Sequence, residues 1–562
     1  MNYNLRFHRR GRSIAHIPEA RICTAMGAGW LNDCNRMSDK PYMTVKDEIA
    51  ENRKHTMRGS SLTGRQWLKH WMVYAVGIAS QSALSFFVIP IYTRQIAPNQ
   101  YGILELLSRT QDILGLVVMS GFAVAAIAFY QFEAVAPERQ RKVFSTALAG
   151  VMANSTAVLL FVLPFSSRIS RLLFRTTEYT WAVEAFACLL PLELVFQVGL
   201  VSIQARIRSG LYVLFSVGRL ILGIVVNLVL VLWLQWGLKG IIGASLLHTG
   251  LSALAIAVYV FRQSGFHFDW DLWKSMLRYG APFVLGGLFR MVLDSGDRYF
   301  LMMLRGSATV GIYGISFKIV VGLMTLVLAP FTKIWGALMI EVGNSPSGPR
   351  KIARATTYLA ALYLYPALVL SLLCPAILRL LTGRQYWEAY RPVPILLIAY
   401  LFWSISTVAD TGFYAKKKVH LKPWFLAIAG MFCFAGYALL IPKWGAMGAA
   451  CSAALAFAIL AGLTMAVGQR YLRVPYELGR LAVLLVSSIL IYVVGRLTIV
   501  RWHVSEMLVA AMAAVALPVV LLLIGWLQPD ERLAVSDLLS ALYSRCSGRF
   551  QQESMLSGAA GE

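Results

Sequence analysis

Residues 210–246 read GLYVLFSVGRLILGIVVNLVLVLWLQWGLKGIIGASL, two apolar runs folded back on each other at a Trp-Gly corner. Each run is long enough to cross a hydrocarbon core of about 30 Å as a helix, and the connection is too short for anything but antiparallel neighbours. The pattern recurs at 422–455, KPWFLAIAGMFCFAGYALLIPKWGAMGAACSAAL, where WGAMGAACSA stands against WGLKGIIGA. A second echo at nearly the same separation sets NQYGILELLSR (99–109) against VGIYGISFKIV (310–320), matching Tyr101-Gly102 with Tyr313-Gly314. Two echoes in register imply two similar lobes. An even number of spans per copy makes the copies parallel, with a cavity between them.

Outward from these stretches, apolar windows of about 20 residues fill the chain from position 70. They are 70–93, 111–132, 145–165, 181–203, 211–234, 238–261, 277–303, 309–335, 355–378, 392–413, 422–442, 445–468, 480–499 and 505–526. The expected fold is therefore all-α, a polytopic membrane protein of about 14 transmembrane helices in two pseudo-symmetric six-helix lobes plus two C-terminal helices. The lobes are 70–262 and 263–468, the added pair 469–527, and a cytoplasmic tail 528–562 follows. Residues 1–69 are polar and hold thirteen Lys/Arg. They read either as a cytoplasmic basic tail or as a disordered extension, with Met57 or Met72 as alternative starts.

Composition agrees: 58% of the 562 residues are hydrophobic and 14% charged, against about 25% charged in soluble proteins. The net charge of +25 sits in short groups between the apolar runs, such as Lys416–Lys418, and not in blocks interleaved with aromatics. Nucleic acid is therefore excluded as a partner. By the positive-inside rule both termini are cytoplasmic. The seven cysteines are scattered without CxxC spacing, so neither a disulfide framework nor a metal site is expected. No P-loop occurs, and the outer loops are too short for a glycosyltransferase or polymerase domain, so no enzyme is expected.

One span breaks the apolar rule. RMVLDSGDRYFL (290–301) places Arg290, Asp294, Asp297 and Arg298 within an arc of about 100° on a helix. Such residues cost about 2.5–3.5 kcal/mol each at a bilayer centre, and they face a cavity or one another. Arg290–Asp294 and Asp294–Arg298 are both i,i+4 pairs, so a self-satisfied ladder that only fixes packing is the rival to a binding face. On the binding reading, Arg290 and Arg298 meet a phosphate, since a guanidinium fork matches its oxygens. Asp294 and Asp297 then support them, or one of them carries a coupling H⁺ or Na⁺. Lys318 is a further cavity cation. Glu105, Arg109 and Asp112 share a face of their own: either Arg109 is a further cavity cation for the phosphate with Glu105 and Asp112 as supporting or coupling carboxylates, or the three are solvated charges near a span boundary. Arg219 and Lys333 are expected to snorkel. Glu193 and Glu184 are candidate coupling carboxylates, Glu184 the more interfacial. GRQYWEAY (383–390) offers either sugar contact or an interfacial anchor.

IPIYTRQIAPNQYGILELL (89–107), followed by DRYFL (297–301) and VGIYGISFKIV, resembles the Wzx-like polysaccharide flippases of the multidrug/oligosaccharidyl-lipid/polysaccharide exporter superfamily. The resemblance covers about residues 70–530, and residues 1–69 depart from it. It implies a bacterial inner-membrane flippase that moves an undecaprenyl-diphosphate-linked oligosaccharide by alternating access, for O-antigen, capsule or exopolysaccharide export. It implies no cofactor beyond a coupling ion. Its partners would be membrane lipids and the polymerase and glycosyltransferases of the pathway. Alternatives are a flippase for the peptidoglycan lipid precursor and a multidrug/cation antiporter of the same superfamily. An antiporter is expected to favour an acidic cavity.

Overall fold

The computed structural model describes residues 88–531, apart from 120, 133–136, 207 and 529–530. Most of the expected first span, all of the N-terminal extension and nearly all of the C-terminal tail lie outside the described residues. The described residues are helical throughout, without a strand. A helical stretch at 88–95 precedes α1 (Pro98–Met119), α2 (Phe122–Phe132), α3 (Pro137–Phe174), α4 (Thr180–Ala205), α5 (Ser209–Asn227) and α6 (Gly237–Ser264). Then come α7 (Trp270–Arg305), α8 (Ser307–Asn344), α9 (Gly348–Leu381), α10 (Val393–Ala409), α11 (Thr411–Ala415), α12 (Lys422–Trp444), α13 (Ala446–Gly468), α14 (Leu478–Trp502) and α15 (Glu506–Leu523).

Among the described residues 12 segments are long and apolar enough to cross a membrane. They coincide with the second to sixth and eighth to fourteenth windows of the sequence. α7 occupies the seventh window and has the length of a span, 36 residues, but Arg290, Asp294, Asp297 and Arg298 within it set it apart. The chain is a multi-pass membrane protein.

The two Trp-Gly corners have one conformation. Gly237 and Gly445 take φ of 53° and 54°, a left-handed backbone that glycine adopts at no steric cost. Behind each corner a second glycine touches the preceding helix. A Cβ on Gly240 would stand 2.8 Å from the Leu230 carbonyl oxygen, and one on Gly448 2.3 Å from that of Leu440. The first copy reaches its corner through a π-helical turn, Leu228–Trp233, which the second lacks. Lipid offers no hydrophobic drive between helices, so close backbone approach at small residues is how such hairpins hold.

The Tyr-Gly echo is three residues out of register in space. α1 and α8 cross where Gly102 lies against Ser307 and Gly311 against Pro98. A Cβ on Gly102 would be 1.8 Å from the Ser307 oxygen, and one on Gly311 2.1 Å from the Pro98 oxygen. The contact is reciprocal, as a pseudo-two-fold crossing requires, and it equates Gly102 with Gly311. At Gly314, the partner expected from the sequence, an added Cβ would stand 3.1 Å from the Glu105 side chain that takes the space.

Further ties join the two halves at the same end. Arg94 Nη2 donates to the Leu380 carbonyl (2.9 Å), Tyr386 Oη to that of Ile96 (3.0 Å) and Arg175 Nη2 to that of Met303 (3.1 Å). The GRQYWEAY loop is thus neither free nor interfacial at its centre. It coils as a 3₁₀ turn, Arg384–Tyr390, and buries Tyr386 as a tie.

Toward the opposite end α7 leans on the first half. A Cβ on Gly121, between α1 and α2, would stand 2.5 Å from the Gly280 Cα, and Trp273 covers Gly150. Leu272 and Met276 join the core of α2–α6, while Phe300 packs on Phe434 and Tyr437 of α12. α7 therefore touches both halves along its length and walls the space beneath the α1–α8 crossing. α14 and α15 pack on α9 through Leu368, Leu372, Val509 and Leu517. The chain after α15 folds back, with Glu531 bonded by Arg480 Nη2 (2.7 Å) and Tyr358 Oη (2.6 Å).

Overpacking a tight contact costs about 1–3 kcal/mol. Gly102→Ala or Gly311→Ala is therefore expected to lower the melting temperature of the purified protein. Gly218→Ala, with nothing within 4 Å of its added carbon, should leave it unchanged. Fluorescence-detected melting in detergent reads both.

Candidate functional site

Four charged residues of α7 point two ways. Arg290 and Asp294 form an ion pair (Nε–Oδ2 2.6 Å) with side chains 39% and 26% exposed. The guanidinium lies 4.4 Å from the centroid of the Trp403 ring on α10. Among the described residues Nε is the only nitrogen of that guanidinium with a hydrogen-bond partner, and Asp294 Oδ1 is buried without one. Asp297 and Arg298 are buried instead, and Arg298 is fully enclosed. Its Nη1 donates to Asp297 Oδ1 (2.6 Å) and to the Asp294 backbone carbonyl (2.8 Å). The guanidinium stacks 3.9 Å from the Phe317 ring, and Tyr313 Oη donates to Asp297 Oδ2 (2.6 Å).

The i,i+4 ladder read from the sequence thus forms in one rung. Arg290 takes the Asp294 carboxylate, and Arg298, turned toward α8, takes its neighbour Asp297.

The second charged face, on α1, meets the first. Glu105 is buried between Arg109 (Nε–Oε1 3.0 Å) and Arg298 (Nε–Oε1 3.8 Å), with Lys318 acting on it electrostatically. Lys318 Nζ sits 5.1 Å from the Tyr101 ring centroid. Arg109 also holds Asp112 (3.1 Å), whose side chain is half exposed. Of the two readings of Glu105, solvated charge at a span boundary does not hold: it lies inside the bundle because the glycine crossing brings α8 over it. Thr110 Oγ1 and Tyr299 Oη, 2.9 Å apart, add a neutral contact between α1 and α7.

Next to this cluster along α1 a cleft opens between α1, α2, α4 and α7. Gln111, Asp112, Glu193 and Gln197 line it, with Leu116 and Met291 among its apolar walls. Glu193 is held by Arg219 (Nη1–Oε1 3.2 Å), which lies 4.5 Å from the Phe196 ring and reaches Thr249 (3.3 Å). Arg219 therefore does not snorkel: a carboxylate within the bundle offers it more than the interface does. Glu184 accepts from Ser166 (2.8 Å), away from the cleft residues, and Lys333 is exposed.

One group was not singled out in the sequence. Lys422 Nζ donates to Asp410 Oδ1 (2.7 Å) and Ser406 Oγ (2.7 Å), with Thr464 at 3.4 Å. Asp410 closes one apolar run and Lys422 opens the next, which in sequence looks like two interfacial charges. Only a charge at each end of the intervening KKK loop hinted at a pair.

Removing one partner of a buried ion pair costs about 3–5 kcal/mol, whereas neutralising both is far cheaper. Arg298→Met is expected to depress the melting temperature strongly, and the double variant Asp297→Asn/Arg298→Met to recover most of the loss. Equal damage from single and double variants would mean that Asp297 is not the partner that matters.

Residues 67–335 match the family described as Polysaccharide biosynthesis protein. No curated protein matches the chain. Among solved structures the chain resembles Lipid II flippase MurJ in an inward closed conformation, with TM-score 0.63 and 11% identity, over 80% of this chain and 98% of that one. It also resembles an inward-facing multidrug resistance MATE family transporter of the MOP superfamily, with TM-score 0.59 and 15% identity, over 70% and 97%. A MOP superfamily transporter from Pyrococcus furiosus, described as having a binding pocket of reverse polarity, gives 0.52 and 15% over 71% and 93%. At these identities the likeness is one of fold.

Proposed function

From a chain whose residues 67–335 carry the pattern of the polysaccharide biosynthesis family, we infer a flippase for an undecaprenyl-diphosphate-linked oligosaccharide. It sits in the bacterial inner membrane with both termini cytoplasmic, and its lobes, 70–262 and 263–468, alternate access to a cavity between them. The observation that carries the reading is Arg290 on α7. It is a half-exposed guanidinium over the Trp403 ring of α10, and among the described residues only its Nε has a hydrogen-bond partner. A diphosphate in a bilayer needs a permanent positive charge with free donors, and arginine stays charged where lysine loses its proton.

Arg298, Arg109 and Lys318 are committed to the closed end, around Glu105. They form a reserve of cations that the opposite state would uncover as α1 and α8 part. Asp294 and Asp297 orient the two arginines of α7. A coupling H⁺ or Na⁺ would act on Asp294, whose second oxygen is unpartnered, or on Glu105 and Asp112 of α1. The polymerase and glycosyltransferases of the same pathway would supply and consume the substrate. A peptidoglycan lipid precursor presents the same diphosphate, and the fold likeness to MurJ keeps it as the second reading.

Losing a charge-assisted hydrogen bond costs about 1.5–3 kcal/mol, or 10- to 100-fold. A deletion strain should accumulate a polyprenyl-diphosphate oligosaccharide. Arg290→Ala should restore polymer at least about tenfold less well than wild type at equal membrane abundance, and Arg290→Lys should restore it in part. Full rescue by Arg290→Ala would remove the diphosphate assignment. Accumulation of a muropeptide-linked lipid would transfer the protein to the second reading.

A further inference from the structure

We propose that the wall of the cleft formed by α1 and α4 is a carbohydrate subsite, in which Gln111, Asp112, Glu193 and Gln197 read hydroxyl groups of the carried glycan. This rests on the flippase reading and adds to it where the sugars lie. Glu193 and Gln197 are one helical turn apart on α4 and face Gln111 and Asp112 on α1 across the cleft.

The four side chains suit hydroxyls better than any charged ligand. A sugar hydroxyl both donates and accepts, so its site needs fixed acceptors beside donors. Two carboxylates supply the acceptors and two amides supply both roles. Neither carboxylate is a free anion: Arg109 holds Asp112 at 3.1 Å, and Arg219 grips Glu193 while packed on Phe196. The arginines neutralise and orient the acids. Gln197 Nε2 lies 3.2 Å from Glu193 Oε1, which fixes the amide as well. A diphosphate would meet two carboxylates there, and a cationic drug would find both already paired.

The rest of the cleft is apolar, Leu116 and Met291 included, as a sugar's C–H faces require of a pocket with a few convergent polar groups. Arg290 is not among the lining residues: on α7 it points about 100° away from Met291, over Trp403 of α10. The proposal sets an order, the phosphate at Arg290 on α7 and the sugars against α1 and α4. This division of labour places charge recognition on one half and glycan recognition on the other.

The test measures binding of two lipids to the full-length protein in nanodiscs. One is bare undecaprenyl diphosphate, and the other is the glycosylated lipid that accumulates in the deletion strain. Wild type should hold the glycosylated lipid about tenfold more tightly, the worth of one or two hydrogen bonds at about 1 kcal/mol each. Gln111→Leu/Gln197→Leu should erase that increment while bare-lipid affinity stays within about twofold, and Gln111→Leu alone should erase part of it. Absence of any increment in wild type, or its survival in the double variant, overturns the subsite and leaves the flippase reading intact. Failure of wild type to bind bare undecaprenyl diphosphate fells the flippase reading and this one with it. Arg290→Ala should weaken both lipids equally; weakening the glycosylated lipid alone would place the sugar, not the phosphate, at Arg290 and overturn the assigned order.

Discussion

Everything in this structure leans on one crossing, where two glycines let α1 and α8 touch backbone to backbone and a buried glutamate slides over a third glycine. Gly102 and Gly311 remove the side chains that would keep the helices apart, and Gly314 makes room for Glu105. Without that approach Glu105 would have no reason to be inside the bundle, and Arg298 would lose a neighbouring anion. A charge at bilayer depth is tolerated only beside partners. Here packing geometry and electrostatics are therefore one constraint: the close approach brings the charges together, and the charges make the close approach worth keeping.

The elements were legible in the sequence because each depends on a local pattern. Apolar windows of span length and Trp-Gly corners state their own structure, and helices followed them wherever the chain is described. The charged face of α7 was legible for the same reason, as an angular spacing on one helix. The partners were not. Arg298 looks equally able to pair with Asp294 or Asp297 until the direction of α8 is known. The burial of Glu105 depends on a helix some 200 residues away in sequence and on a register that the Tyr-Gly echo misplaces by three positions. Lys422 with Asp410, and Arg219 with Glu193, are pairs between helices, and no single-helix periodicity encodes them. Local rules fixed what forms; only the packing decided what meets.

The repeat explains a shape and leaves the chemistry free. Symmetry accounts for the reciprocal crossing and for two corners with the same glycine torsion. It does not make the two halves chemically alike. On α7 and α10 stand a half-exposed guanidinium and the indole it covers, Arg290 and Trp403. On the α1–α4 side stand amides and arginine-held carboxylates. On the flippase reading, two lobes that move against each other would need matching backbones where they touch, and a ligand with a charged head and a neutral polymer would need unlike walls.

The lengths of the ion pairs say how such a machine can open without stranding a charge. Within the first half Glu105 binds Arg109 at 3.0 Å, and within the second Arg298 binds Asp297 at 2.6 Å. The link between them, Glu105 to Arg298, is the long one at 3.8 Å. Breaking a buried pair outright costs several kcal/mol because the remaining charge has nothing to answer it. Here each residue keeps its nearer partner on its own side when the halves separate. Under the proposed alternating access, the bond that breaks would be the longest of the three, and the two shorter ones would carry the charges intact into the other state.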